Sequence, residues 1–160
     1  MNKKCPIGIF DSGVGGLTIA SAIRDRMPNE ALLYFGDTAH MPYGDKSEES
    51  IRRYSLRIAE FLIEQGAKAI VIACNSASVA SAGQIQERFG KMVPIVNVID
   101  PLVNYVTERS AHKRIGIIGT KATIQSQVYP KRIWRKLPGA EVCALATPLL
   151  APLVEEGLAG

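Results

Sequence analysis

Apolar residues fall in short unbroken runs along the chain: "PIGIF" (6–10), "ALLYF" (31–35), "AIVIA" (69–73), "PIVNVI" (94–99), "RIGIIG" (114–119) and "EVCALA" (141–146). Apolar residues on consecutive rather than alternate positions predict strands covered on both faces. Between these runs the period lengthens to that of a helix. In "SEESIRRYSLRIAEFLIEQG", Ile51, Tyr54, Ile58, Phe61 and Leu62 share one face. Ser47 is placed to cap that helix, Glu48 and Glu49 suit its N-terminal dipole, and Gly66 is placed to end it. Further helices are predicted over 16–27, 76–89, 101–110, 123–136 and 148–157, with Pro130 kinking or splitting the one that contains it. Strand, helix and strand in regular succession predict a parallel α/β sheet flanked by helices, joined by right-handed crossovers.

Composition narrows the class without changing that picture. The 160 residues are 47% hydrophobic and 21% charged, as in a soluble globular protein, with a net charge of +4. Lysines and arginines are scattered, and only "KRIWRK" (131–136) is dense. Ile133, Trp134 and Leu137 interleave it as on a solvated amphipathic helix, and no nucleic-acid motif accompanies it, so no nucleic-acid partner is expected. The opening "MNKKCPIGIF" breaks at once on Asp11, Ser12 and Gly13, unlike a signal peptide, and no stretch reaches the length of a membrane span. Three separated cysteines and two lone histidines fit neither a disulfide framework nor a metal cluster. The expectation is a cytoplasmic protein with reduced thiols.

Ligands of open parallel sheets bind beyond the carboxyl ends of the strands, which makes the residues after each apolar run the ones to weigh. They are Asp11-Ser12-Gly13-Val14-Gly15-Gly16, then Gly36-Asp37-Thr38 leading to Met41-Pro42-Tyr43-Gly44, then Cys74-Asn75-Ser76, Asp100-Pro101 and Thr120. The glycine loop is not a dinucleotide fingerprint, because Thr18 stands where G-x-G-x-x-G needs glycine. It remains a turn able to offer N–H groups to a small anion such as a carboxylate, or simply a tight turn for close packing. Asp11 is harder to read as structural, since a carboxylate at a strand end is costly to bury. Cys74, between a strand and a helix N-terminus, is either an acidic, available thiol or a buried inert one with Ser76 as the helix cap. As a thiolate it would serve as nucleophile or base; a Cys-His nucleophile would need His40, because His112 precedes its strand. Cys5 precedes a strand and Cys143 lies within one, and both read as inert.

"FDSGVGGLTI", "YFGDTAHMPYG" and "VIACNSAS", in this order and at these strand ends, resemble the glutamate racemases of the aspartate/glutamate racemase family. The similarity extends through "GIIGTKATIQSQVY" (116–129) to "TPLLAPLVEEG". "DSGVGG" with "MPYG" favours the glutamate enzymes over the aspartate ones; the alternatives are an aspartate or hydantoin racemase of the same family and, on "DSGVGG", a non-catalytic nucleotide-binding α/β module. The resemblance implies interconversion of L- and D-glutamate, a small-molecule substrate, to supply D-glutamate for peptidoglycan. It implies no cofactor: one thiolate removes the α-proton and a second thiol protonates the opposite face. Cys74 matches the first thiol. Asp11 and Ser12 match residues lining the site, Tyr43 and Gly44 a loop holding the substrate carboxylate, and Asn75 and Ser76 a pair gripping its charged groups. Where Ser76 stands the family usually has threonine. The family's second cysteine lies in a G-C-T-H-Y-like motif that this sequence lacks, and Cys143 has no such context. The resemblance therefore implies two similar α/β domains, the first over 1–99 and an incomplete second over 100–160, in the N-terminal portion of a longer racemase. It leaves a homodimer open.

Overall fold

The computed structural model describes residues 5–109, 113–155, 157 and 158. Six strands alternate with helices: β1 (Ile7–Asp11), α1 (Leu17–Arg26), β2 (Leu32–Gly36), α2 (Glu48–Glu64), β3 (Ala69–Ile72), α3 (Asn75–Phe89), β4 (Ile95–Asn97), α4 (Ile99–Arg109), β5 (Arg114–Gly119), α5 (Lys121–Gln125), α6 (Val128–Lys136), β6 (Glu141–Ala146) and α7 (Leu150–Glu155). A 3-10 turn at Tyr43–Asp45 follows β2. The strands form two separate sheets, both parallel: a four-stranded one in the order β2-β1-β3-β4, and the pair β5-β6. No helix among the described residues is long and apolar enough to cross a membrane.

The first sheet is covered on both faces. Phe10, Ile70 and Ile72 pack beneath α2 and α3 with Ile51, Leu62 and Ile85. Ile7, Ile9 and Val71 pack beneath α1 with Ile19 and Ile23. Ser47 caps α2 by accepting from the Ser50 N–H at 3.2 Å, and Gly66 leaves that helix at φ +83°. Of the face assigned to α2, Ile51, Ile58 and Leu62 are buried, but Phe61 is exposed and sits edge-on to Phe35.

The second sheet departs from expectation. One face of β5 and β6, through Ile115, Ile117 and Val142, packs on Ile99, Val103, Tyr129 and Ile133 from α4 and α6. The opposite face leaves Ile118 and Leu145 more than 60% exposed. Two further details differ. The 123–136 helix is indeed split, but at Ser126–Gln127, where Gln127 is left-handed at φ 57°, and not at Pro130. Pro130 falls in the first turn of α6, where a missing N–H costs nothing. The fourth apolar run ends early because α4 already starts at Ile99, so Asp100 lies in a helix turn. There it meets Arg132 and the Asn97 amide instead of a ligand site.

Candidate active site

Parallel register brings the ends of β1, β2 and β3 side by side: Asp11 pairs with Gly36, and Phe10 with Ile72. The end of β5 approaches through Thr120, the N-cap of α5. Between them lies a cavity of about 320 Å³. Asp11, Ser12, Tyr43, Gly44, Cys74, Asn75 and Ser76 all line it, joined by Thr120 and by Pro148, Ala151 and Glu155 around α7.

The glycine loop is organised by the protein's own anion. Asp11 is 5% exposed, and its Oδ2 accepts from the Gly13 N–H at 3.0 Å and the Gly16 N–H at 3.1 Å. Two of the N–H groups that the sequence offered to a ligand carboxylate are thereby occupied. Gly16 cannot carry a side chain, since a Cβ would lie 2.7 Å from the Asp11 Cβ and 2.9 Å from that of Ala73.

Cys74 is itself the cap of α3; its Sγ accepts from the Ala77 N–H at 3.4 Å and donates to the Ser12 hydroxyl at 3.5 Å. The acidic thiol suggested by that helix start is not what results. Burial, and then the Asp11 charge, push the thiol up to about 11, outweighing the Ala77 and Ser12 hydrogen bonds that act the other way. Cys74 therefore holds its proton at neutral pH.

Ser76 is buried, and its hydroxyl meets the Thr120 hydroxyl at 2.9 Å, so it is not the cap of α3. Thr120 also accepts from the Thr123 N–H at 3.2 Å and touches the Tyr43-Gly44 turn closely enough that a Cβ on Gly44 would lie 2.8 Å from its own. Tyr43 is 1% exposed and donates its hydroxyl to Asp37 at 2.6 Å. Its side chain is thus committed, and the turn can offer a ligand only its main chain. Asp37 also receives His40 Nδ1 at 2.8 Å, and the His40 ring stacks on Tyr54. His40 does not line the cavity, which removes the Cys-His nucleophile; His112 lies outside the described residues.

Cys143 is exposed in the middle of β6 and Cys5 precedes β1, so neither reaches the cavity. Among the described residues no group of three or more acidic, cysteine or histidine side chains could hold a metal ion. A larger cavity of about 650 Å³ adjoins the first along β5, α4, α6 and α7; its aliphatic lining suits it to packing rather than to charge chemistry. Asn75, Thr120 and Glu155 belong to both cavities. Sequence reasoning named neither Glu155 nor Tyr129, whose hydroxyl donates to Asn75 Oδ1 at 2.6 Å. Nothing local marks either residue, because each arrives from a distant helix.

A buried acid and a thiol at neighbouring ends of a parallel sheet define a class of α/β protein to which the sequence comparison gives a name. The family model for Asp/Glu/Hydantoin racemases matches residues 17–153, and the chain belongs to that family. Within it the likeness is to glutamate racemases. The chain is 47% identical to the glutamate racemase of Geobacter metallireducens over 151 residues, 94% of this chain and 55% of the relative. It is 46% identical to that of Thermus thermophilus over 157 residues, 98% and 57% of the two chains. Among solved structures, glutamate racemase from Francisella tularensis in complex with D-glutamate matches at 40% identity and a TM-score of 0.92, covering 99% of this chain and 59% of that one. Glutamate racemase isoform RacE1 from Bacillus anthracis matches at 38% identity and a TM-score of 0.93, covering 98% and 58%. The chain spans a little over half the length of these relatives.

Proposed function

We propose that this chain supplies one side of the active site of a cofactor-independent glutamate racemase, with Cys74 as one of two proton-transferring thiols. The observation that carries the reading is Cys74, at a strand end in a cavity with Asp11, Ser12, Asn75 and Ser76, in a chain this similar to glutamate racemases. The Francisella tularensis relative, crystallised with D-glutamate, supports the choice of substrate.

The chemistry follows from the groups present. Glutamate brings two carboxylates and an ammonium. The Asn75 amide, the Ser12 hydroxyl and the main chain of the Tyr43-Gly44 turn are the donors available to carboxylates. Asp11 attracts the ammonium, and that positive charge offsets one of the two causes holding the Cys74 proton on. As thiolate, Cys74 takes the α-proton and becomes the thiol, leaving the electron pair on the α-carbon. A second thiol then gives its proton to the opposite face and becomes the thiolate; nothing is oxidised and no group leaves. Because Cys74 is such a weak acid, its thiolate is a strong base for a carbon acid. Neither Cys5 nor Cys143 reaches the cavity, so the second thiol must come from outside these 160 residues. The D-glutamate so made is a building block for peptidoglycan.

The test follows D-glutamate in D₂O by optical rotation and by α-deuterium NMR. A racemase of the relatives' full length that carries this segment is expected to racemise, and Cys74→Ala to abolish it. The 160-residue chain alone is expected to be slower by about 10²–10⁴-fold, the value of a positioned acid. Aspartate or a hydantoin turned over in preference to glutamate would move the reading to another branch of the family. An unchanged rate in Cys74→Ala would remove the thiol mechanism.

A further inference from the structure

We infer that Tyr129 is a positioning residue, which acts through Asn75 to make that side chain a hydrogen-bond donor toward the active-site cavity; the choice of glutamate as probe rests on the function proposed above. Asn75 is the first residue of α3 and is exposed into the cavity next to Cys74. A free carboxamide there can turn either its oxygen or its amino group to a ligand, and so accept an ammonium or a carboxylate equally well. Tyr129 removes that freedom. Its hydroxyl donates to Asn75 Oδ1 at 2.6 Å across 54 positions of sequence, so the oxygen is occupied and Nδ2 is the group left for the cavity.

The tyrosine is well held for this task. Tyr129 is 7% exposed and packs among Ile99, Val103, Ile133 and Ala140. Burial pushes its hydroxyl up to about 12, which keeps the proton in place as a donor. Its location depends on the break between α5 and α6. Gln127 at φ 57° ends one helix and starts another, Ser126 Oγ accepts from the Val128 N–H at 3.2 Å, and Tyr129 lies in the first turn that follows. The pair therefore fixes the charge preference of a residue at the start of α3 from the core beneath the second sheet. A ligand at Asn75 must present an acceptor there, as a carboxylate does.

The experiment uses the 160-residue chain, with Asn75 side-chain amide signals assigned by their loss in Asn75→Ala, and D-glutamate as the probe. Tyr129→Phe keeps the ring and removes only the hydroxyl, so the thermal midpoint should stay near that of wild type. The Asn75 amide signals should shift in Tyr129→Phe even without ligand. Affinity for D-glutamate should fall about 5- to 10-fold, as for one lost hydrogen bond. Tyr129→Phe combined with Asn75→Ala should bind no worse than Asn75→Ala alone. Asn75→Asp, which keeps an acceptor for Tyr129 but turns an anion to the cavity, should lose D-glutamate binding altogether. Unmoved amide signals, additive losses in the double variant, or normal binding by Asn75→Asp would each overturn the assignment. If the wild-type chain binds no glutamate, the amide signals still decide the positioning, and only the substrate reading fails.

Discussion

β1 and β5 are written in nearly the same residues, "IGIFD" and "RIGIIG", and each pairs in parallel with the strand that follows its crossover. Their environments are opposite. Every residue of β1 is buried, between β2 and β3 in the plane and between helices above and below. β5 alternates between exposed and half-buried positions, with one edge and one face unpartnered among the described residues. A consecutive apolar run thus records what a strand is suited to, whereas burial depends on what has been assembled around it. The polar ends show the same contrast. Asp11 at the end of β1 is held by two N–H groups of its own loop, while Thr120 beyond β5 turns toward the first sheet and Ser76.

The largest test of that contrast is a pair of truncations. Ile72→Ala opens a hole where no solvent reaches and should cost about 2–5 kcal/mol in urea unfolding. Ile118→Ala, at a position 63% exposed, should cost well under about 1 kcal/mol. Equal costs would mean that the open face of the second sheet is covered in solution. The thiols give the next test, and burial reverses the order that the helix start alone suggests. Exposed Cys143 should be alkylated first at neutral pH. Cys74, with its thiol raised from 9.0 to about 11, has roughly 10²-fold less thiolate than an ordinary thiol and should lag at least that far behind. Peptide mapping that found Cys74 labelled first would show that the site opens. The same proton makes stability depend on pH. The folded state binds it more tightly than the unfolded chain, so its contribution is complete below pH 9.0 and is lost as pH rises toward about 11. Cys74→Ala should flatten that decline, as urea midpoints across the range would show.

A smaller effect is expected at the junction of the two sheets. Asn75→Ala should weaken D-glutamate binding by about 1–3 kcal/mol, the range for a hydrogen bond to a charged group, with little loss of stability. Calorimetric titration that gave an unchanged affinity would remove Asn75 from the binding set. The smallest concerns ion pairs. Arg114 and Glu141 pair across β5 and β6 with both side chains at least three-quarters exposed, and Arg114→Ala should change stability by less than about 0.5 kcal/mol. Lys68 and Glu30 pair beside the first sheet with far less exposure. Lys68→Ala should be the costlier of the two, since it leaves a partly buried carboxylate without its partner. The reverse order would contradict the contrast between the sheets.

Much of the fold was legible because periodicity is a local property. All six strands and the helices after them lie within a few residues of where the apolar pattern puts them. The cavity lining was legible for a related reason: in a parallel sheet the residue after each apolar run must emerge at the same edge, so Asp11, Cys74 and the Tyr43-Gly44 turn meet without any knowledge of packing. Where the local argument failed, a distant element had intervened. Asp100 was drawn into α4 and Arg132, Phe61 turned aside toward Phe35, and the helix containing Pro130 broke earlier, at Gln127.

The sequence by itself determined the alternation of elements, the parallel sense of pairing and the set of polar groups delivered to one edge, because each is set by side-chain period and chain connectivity. The tertiary structure alone decided the protonation of Cys74, the orientation of Asn75 and the exposure of Ile118. Each of these depends on atoms far away in the chain. Desolvation beside Asp11 outweighs the helix start at Cys74, a hydroxyl from α6 selects one end of the Asn75 amide, and a strand is buried only when something lies against it.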